Sequence, residues 1–440
     1  MIKYGSIKQY VWIFILPLAF FVYSNSFNTF PIIEQSVDVL GSSDAVNFQI
    51  LIKDFHLEKK YGNPYNKVNR NFGDIAQKHK IHHLLYVMVG SLIYKTLSVL
   101  YGLFGVSANQ ASYSVNALLS CFNLLLLAIL LRYFNAGRGN TALLLFLYAF
   151  SLSTWIFSSV PGSWIFTTTL ILLFLVLWYR FKCGPLVMSF FIGIAMLGNI
   201  FLFSLLIFLF IRYLLSAQSA KELARKTVLS SLVASATWIG LLSLLSLFDD
   251  SLRPDNFIRY TFWFKDFVAD KLPFYSPYAW KVILSNLFVN SIVSNQPNPE
   301  VPLEALLYTL KGSPLGLITT LIYFGLCTVV LLRIFASLRG MAARHDVLRT
   351  MLGREEFHII SYCFVWILLT WIVFPPGAFV YSTTTVPLVM ILIHRFVSIE
   401  KLSHRVLLYA TVIMVTLNNI DQILKFRWAL SALSAKIGCL

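Results

Sequence analysis

The stretch Gly41–Phe55, GSSDAVNFQILIKDF, sets one carboxylate, Asp44, behind two serines and ahead of apolar and polar positions spaced as on a helix lying on a surface. A carboxylate within hydrogen-bond reach of a hydroxyl can strip its proton as a general base. Asp44 is also a good helix N-cap, and spacing alone favours the cap. Asp74 and His79 follow at the end of the same polar region. Asp74 reads equally as a solvated loop carboxylate, and His79 as an interfacial histidine or a group that orients substrate or holds a phosphate. Farther on, RPDNFIRYTFWFKDF interleaves Arg253, Arg259 and Lys265 with aromatic rings. A guanidinium fork grips two phosphate oxygens at once; the plainer alternative is an interfacial helix with snorkelling cations. No GxGxxG, Walker A or HExxH pattern is present, so nucleotide-driven chemistry and zinc proteolysis have no support. The five cysteines, Cys121, Cys183, Cys327, Cys363 and Cys439, include no CxxC pair and predict neither a disulfide framework nor a metal site.

The elements that must position these groups are membrane helices. With 58% hydrophobic and only 12% charged residues, and a mean hydropathy of +0.73, the chain falls far from soluble domains, where about a quarter of residues are charged. Apolar runs recur from end to end at the length a helix needs to cross a core of about 30 Å. They lie near 10–30, 82–104, 111–133, 141–158, 164–180, 185–198, 200–216, 228–248, 314–335, 357–374, 381–397 and 406–421. The net charge of +16 is gathered in short links between them, which is a topology signal and argues against nucleic acid as a partner.

Parity then decides the topology. If Lys3 and Lys8 are cytoplasmic and every run crosses, Arg132, Arg138 and the later basic links fall outside, against the positive-inside rule. The conflict vanishes if 82–104, which carries Lys95 and Tyr86, Tyr94 and Tyr101, lies in the outer interface. The expectation is an all-α, polytopic membrane protein: one domain over 1–440, about eleven transmembrane helices plus outer-face interfacial helices, and a cytoplasmic N-terminus. The outer regions are then 31–81, 159–163, 249–313 and 375–385, and they hold the candidate chemistry.

Four stretches fall in a particular order: SSDAVNFQ; HKIHHLLYVMVG, from His79 to Gly90; YSVNALLSCFNLLLLAILLRYF, from Tyr113 to Phe134; and YAFSLSTWIFSSVPGSW, from Tyr148 to Trp164. This order resembles the GT-C superfamily of integral-membrane glycosyltransferases, and within it the protein O-mannosyltransferase-like branch. That branch has an Asp after its first helix, then a pattern like H-P-P-G-Y-P-L-Y-V-L-L-G, then a helix carrying V-N, then F-S-x-x-F-W before an acidic residue. The likeness covers roughly the first 215 residues, and the remainder only in hydropathy.

The resemblance implies an inverting transfer of a sugar from a polyprenyl-phosphate-linked donor to a lipid, glycan or protein acceptor. It would take place at the outer face of a bacterial plasma membrane, with Asp44 as base. It implies donor or acceptor contacts from His79 and Tyr381; Asp74 and the cations Arg253, Arg259 and Lys265, read from their own chemistry, complete the expected donor- and acceptor-binding set. The chain departs from the branch at Lys80 and Ile81, which replace two prolines, and at Gly162, which stands at the acidic position. No cofactor is expected, and a divalent metal has no support without that acid. Two other readings remain: a transporter or flippase of a lipid-linked glycan, and a non-catalytic relative.

Overall fold

The computed structural model describes residues 19, 49, 51–53, 55, 80–159, 161–249, 252–256, 277–293, 314–342, 347–373, 378–397 and 400–437. Among them the chain is helical throughout, with no strand. The helices are α1 (Leu84–Leu103), α2 (Ala108–Tyr133), α3 (Arg138–Ala149), α4 (Leu152–Ser159), α5 (Ser163–Leu175, continued by a π turn at Val176–Arg180) and α6 (Pro185–Ala195). A 3-10 turn at Ile200–Leu205 then leads into α7 (Leu206–Ser216) and α8 (Ala220–Ser246). They are followed by α9 (Pro277–Leu284, with a π turn at Ser285–Asn290), α10 (Pro314–Ala342), α11 (Val347–Leu352), α12 (Glu355–Val373), α13 (Ala378–Phe396) and α14 (Leu402–Ile437).

Local chemistry accounts for many of the boundaries. Gly184 and Pro185 open α6, because proline at the first helical position sacrifices only an N–H that has no intrahelical acceptor. Ser219 accepts from the Glu222 amide at the start of α8, and Glu222 accepts from Gln218 N. Helix α2 ends in a left-handed residue, Asn135 at φ 65°, with Ala136 N donating back to Leu131 O at 2.8 Å.

Five of these helices are long and apolar enough to cross a membrane: 84–103, 110–133, 163–180, 220–246 and 314–340. They become six if α3 and α4, bent by 59° at their junction, form one broken span. By composition this is an integral membrane protein with a helical membrane domain.

Helix α1 does not pair lengthwise with α2. Tyr86 and Tyr101, roughly 22 Å apart along α1, reach Asn116 and Ser114, and a Cβ placed on Gly90 would sit 3.7 Å from Val115. Residues 114 and 116 point to opposite sides of α2, so the two tyrosines straddle it. Helix α1 is therefore laid across the N-terminal end of α2. Its far face, including Leu92, Val99, Leu103 and Phe104, is exposed apolar surface.

At the other end of α2 the basic links gather. Arg395 pairs with Glu356 at 2.9 Å, Tyr133 donates to Glu355 at 2.6 Å, and Tyr179 donates to the Glu355 carbonyl. His394 Nε2 meets Phe134 O while its Nδ1 meets Asn140 Nδ2. The two contacts fit a neutral imidazole protonated at Nε2. These bonds tie α2, α3, the π turn after α5, α12 and α13 at one end.

The break between α3 and α4 lies well inside the bundle. Phe150 is 12 residues past Arg138, Asn419 is 14 past Arg405 and Thr385 is 10 before Arg395. These spacings put all three roughly 15 to 21 Å from the basic end. Segment 277–293 reaches this level: Pro277 and Lys281 are exposed, whereas Ile283, Leu287 and 291–293 are buried. Its carbonyls at Ser291 and Ile292 accept from Ser153 N (2.9 Å) and Leu152 N (3.4 Å), the first amides of α4. Asn419 Nδ2 then bridges Phe150 O (2.7 Å) and Ile292 O (2.6 Å).

Two outcomes follow from this packing. A Cβ on Gly193 would lie 2.5 Å from the Ala234 carbonyl oxygen and 2.6 Å from Thr237 Cβ, so the α6 and α8 backbones touch there. Gly193→Val should lower the thermal midpoint of the solubilised protein, the overpacking costing about 1–3 kcal/mol or more. Gly137→Ala, which meets nothing within 4 Å, serves as the control. Topology is read in a cysteine-free background: cysteines at Ser107 and Gln110 should react with an impermeant thiol reagent from outside, and those at Arg138 or Gly139 should not. The reverse pattern would mean that α1 crosses.

Candidate functional site

The end of the bundle opposite the basic links collects the polar groups of several distant segments. Asn116, on the first turns of α2, donates to the carbonyls of Phe157 (3.1 Å) and Gly162 (2.9 Å). Tyr86 of α1 donates to Asn116 Oδ1 and accepts from Gly162 N at 2.9 Å. Asn116 and Tyr86 thus hold the 159–163 turn by its backbone. His83 contacts Gly198 O at 3.0 Å and lies edge-on to Trp164, with His82 beside it. Gln49 donates to Ser112 at 3.2 Å, and Leu51 and Ile52 are fully buried, Ile52 against Gly90. The amphipathic stretch that begins at Gly41 therefore continues, at Gln49 and Leu51–Lys53, as helix packed into this end.

The strongest electrostatic feature here is an ion pair between Lys80 and Asp249, both side chains buried. It joins the last residues of the first polar region to the first residues of the long one, 169 positions away. Burial pushes the Lys80 ammonium below the ordinary lysine range, while the hydrogen bond and charge of Asp249 push it back up. One turn beyond, Leu252 N caps back to Asp249 O at 2.9 Å, and Arg253 follows, exposed. Cation, carboxylate, imidazoles and an indole are thus gathered at one end of the bundle.

Of the residues singled out in the sequence, Asp44, Asp74, His79, Arg259 and Lys265 lie outside the described residues. Arg253 belongs to this end. Tyr381 is in the first turn of α13, and Thr385 one turn later donates to Leu287 O at 2.9 Å, so α13 meets the π turn after α9. Asn116, Asn123 and Asn199 are amides inside apolar runs, where such side chains usually bond neighbouring helices. All three make such contacts: Asn123 with Ile165 O, and Asn199 with Thr167 and the amide of Phe201. The Lys80–Asp249 pair joins positions 169 apart, and nothing local to either residue predicts it. Among the described residues no cluster of three or more His, Cys, Asp or Glu could hold a metal ion.

Breaking a buried ion pair by removing one partner strands the other charge, at a cost of about 3–5 kcal/mol, whereas replacing both by apolar groups of similar volume is close to neutral. Lys80→Met and Asp249→Leu should each lower the thermal midpoint sharply, and the double variant should recover most of it. Additive losses in the double variant would show that the two side chains do not depend on each other. Known protein families, curated proteins and solved structures yield no match to this chain.

Proposed function

We propose that the protein is an inverting glycosyltransferase that moves a sugar from a polyprenyl-phosphate-linked donor to an acceptor at the outer face of the membrane. The observation that carries this reading is the meeting of distant positions at the end away from most basic links: residues 80–86 contact Gly162, Trp164 and Gly198, and Lys80 pairs with Asp249 in a buried ion pair. Under the positive-inside rule that end is the outer one. The full proposal has about eleven crossings, a cytoplasmic N-terminus, a bacterial plasma membrane and α1 along the outer interface, which its transverse course over α2 supports.

In the reaction the acceptor hydroxyl attacks the anomeric carbon, Asp44 takes its proton, and the bond to the phosphate oxygen breaks with its electron pair leaving on the lipid phosphate. The leaving group gains negative charge, which Arg253, Arg259 and Lys265 would offset; His79, Asp74 and Tyr381 would contact donor or acceptor. No metal or cofactor is assigned to these steps.

A second reading, transport of a lipid-linked glycan, draws on the α3–α4 break and the inserted segment 277–293, because transporters build midplane sites from interrupted helices. Mass spectrometry of membrane glycolipids and glycoproteins, with and without the protein, separates the two. An enzyme's loss removes a product mass. A transporter's loss leaves every glycan mass in place on the inner leaflet. Asp44→Asn keeps size and capping, so the variant should accumulate normally while transfer falls by about 10²-fold or more. Unchanged product in Asp44→Asn would reduce Asp44 to a cap.

A further inference from the structure

His394, in the last turn of α13, is gripped by both of its ring nitrogens at the basic end. Nε2 meets the Phe134 carbonyl at 3.0 Å, and Nδ1 meets Asn140 Nδ2 at 2.9 Å. A carbonyl only accepts and an amide nitrogen only donates, so Nε2 carries the ring proton and Nδ1 offers its lone pair. Asn140, in the first turn of α3, is buried, and the other end of its amide, Oδ1, has no hydrogen-bond partner. A half-turn of the amide about its Cβ–Cγ bond would bring that oxygen to face Nδ1.

The two side chains can therefore bond in two ways. Neutral His394 accepts from Nδ2. With a second proton on Nδ1, His394 donates to Oδ1, through a bond that the charge strengthens. The bond from Nε2 to Phe134 O is the same in both.

Groups that carry charge surround the imidazole. Its neighbour Arg395 lies over the Phe134 ring and pairs with Glu356 of α12, which Arg354 also approaches at 3.9 Å. Glu355 of α12 accepts from Tyr133 of α2, its carbonyl accepts from Tyr179 after α5, and His358 one turn on bonds Leu352 O. The other elements at this end bring mostly cations: Arg132 on α2, Arg138 on α3, Arg180 after α5, and Arg333 and Arg339 on α10. The turn into α14 carries Glu400 and Lys401, followed by His404 and Arg405. Both α12 carboxylates are engaged elsewhere, so a charge on His394 depends on the two oxygens that can accept from its ring.

We propose that His394 and Asn140 form a proton-binding switch, in which uptake of a proton at Nδ1 turns the Asn140 amide from donor to acceptor. Helix α3 stays fastened to α13 in both states, so the half of the α3–α4 bend nearer the basic end keeps its anchor while this end gains or loses a charge. The switch lies at the opposite end from the Lys80–Asp249 pair and holds whichever molecule that end acts on.

Solid-state NMR of the native protein in bilayers, with labelled histidine and asparagine, tests it; the signal lost in His394→Gln assigns the ring. On titration from about pH 8 to about pH 4.5, across the ordinary histidine value near 6.5, Nδ1 should gain a proton. The contact between Nδ1 and the Asn140 Nδ2 protons, present in the neutral form, should vanish in the charged one. A contact that persists through the titration, or a ring that stays neutral throughout, overturns the proposal. The Asn140→Leu variant gives a second reading through the sign of its effect. An amide that can turn favours the charged ring over the neutral one, because hydrogen bonds to charged groups are the stronger, so its loss should lower the titration midpoint by ~1 pH unit. A fixed donor favours the neutral ring alone. Its loss would raise the midpoint, and that result also overturns the proposal.

Discussion

In a bilayer core no solvent meets a broken backbone, so an interrupted helix survives only if other parts of the protein take up its freed amides and carbonyls. The bend between α3 and α4 is such an interruption, and much of the surrounding bundle is arranged to answer it. Segment 277–293 ends with carbonyls directed at the first amides of α4, so a helix C-terminus, where dipoles leave partial negative charge, abuts an N-terminus, where they leave positive charge. Asn419 closes the remaining gap by giving one proton to each of two carbonyls from different segments. A single amide side chain thereby fastens α14, α3 and the inserted segment at one depth.

The two ends of the bundle hold charge in different ways. At the basic end Glu356 has two arginines near it, Arg395 at 2.9 Å and Arg354 at 3.9 Å, and both cations are partly exposed, so solvent shares the work of stabilising them. At the other end Lys80 and Asp249 are shut away from solvent together. Such a pair contributes little net stability compared with apolar packing, yet losing either partner is costly. It acts mainly as a constraint on where two chain segments can be. The residues that begin the long polar region cannot drift from those that lead into α1.

How much of this was legible in the sequence follows from range. Helices α2, α5, α8 and α10 announce themselves as apolar runs, because hydropathy is summed locally and needs no knowledge of neighbours. The stretch 141–158 reads as one uninterrupted run for the same reason: Ser151, Ser153 and Thr154 hardly lower its hydropathy, and the partners that make a bend affordable sit at 291–292 and 419. A signal did exist in α14, where Asn418, Asn419, Asp421 and Gln422 close the apolar run that begins at 406, and polar residues set in such runs are rarely idle. The ion pair of Lys80 was out of reach altogether, since nothing local to residue 80 points to residue 249.

The Gly162 backbone is extended, at φ 178° and ψ 151°, which any residue adopts, so glycine is not required there by chain geometry. The turn is held instead through the Gly162 amide and carbonyl, by Tyr86 and Asn116, and neither bond depends on what side chain the position carries. The absence of a carboxylate at 162 is therefore a difference in chemistry and not a concession to folding. The described charges of this end include the buried Lys80 and Asp249, a cation and a carboxylate held by segments far apart in sequence, and the exposed Arg253 one turn past Asp249. The turn keeps its shape without an acid of its own.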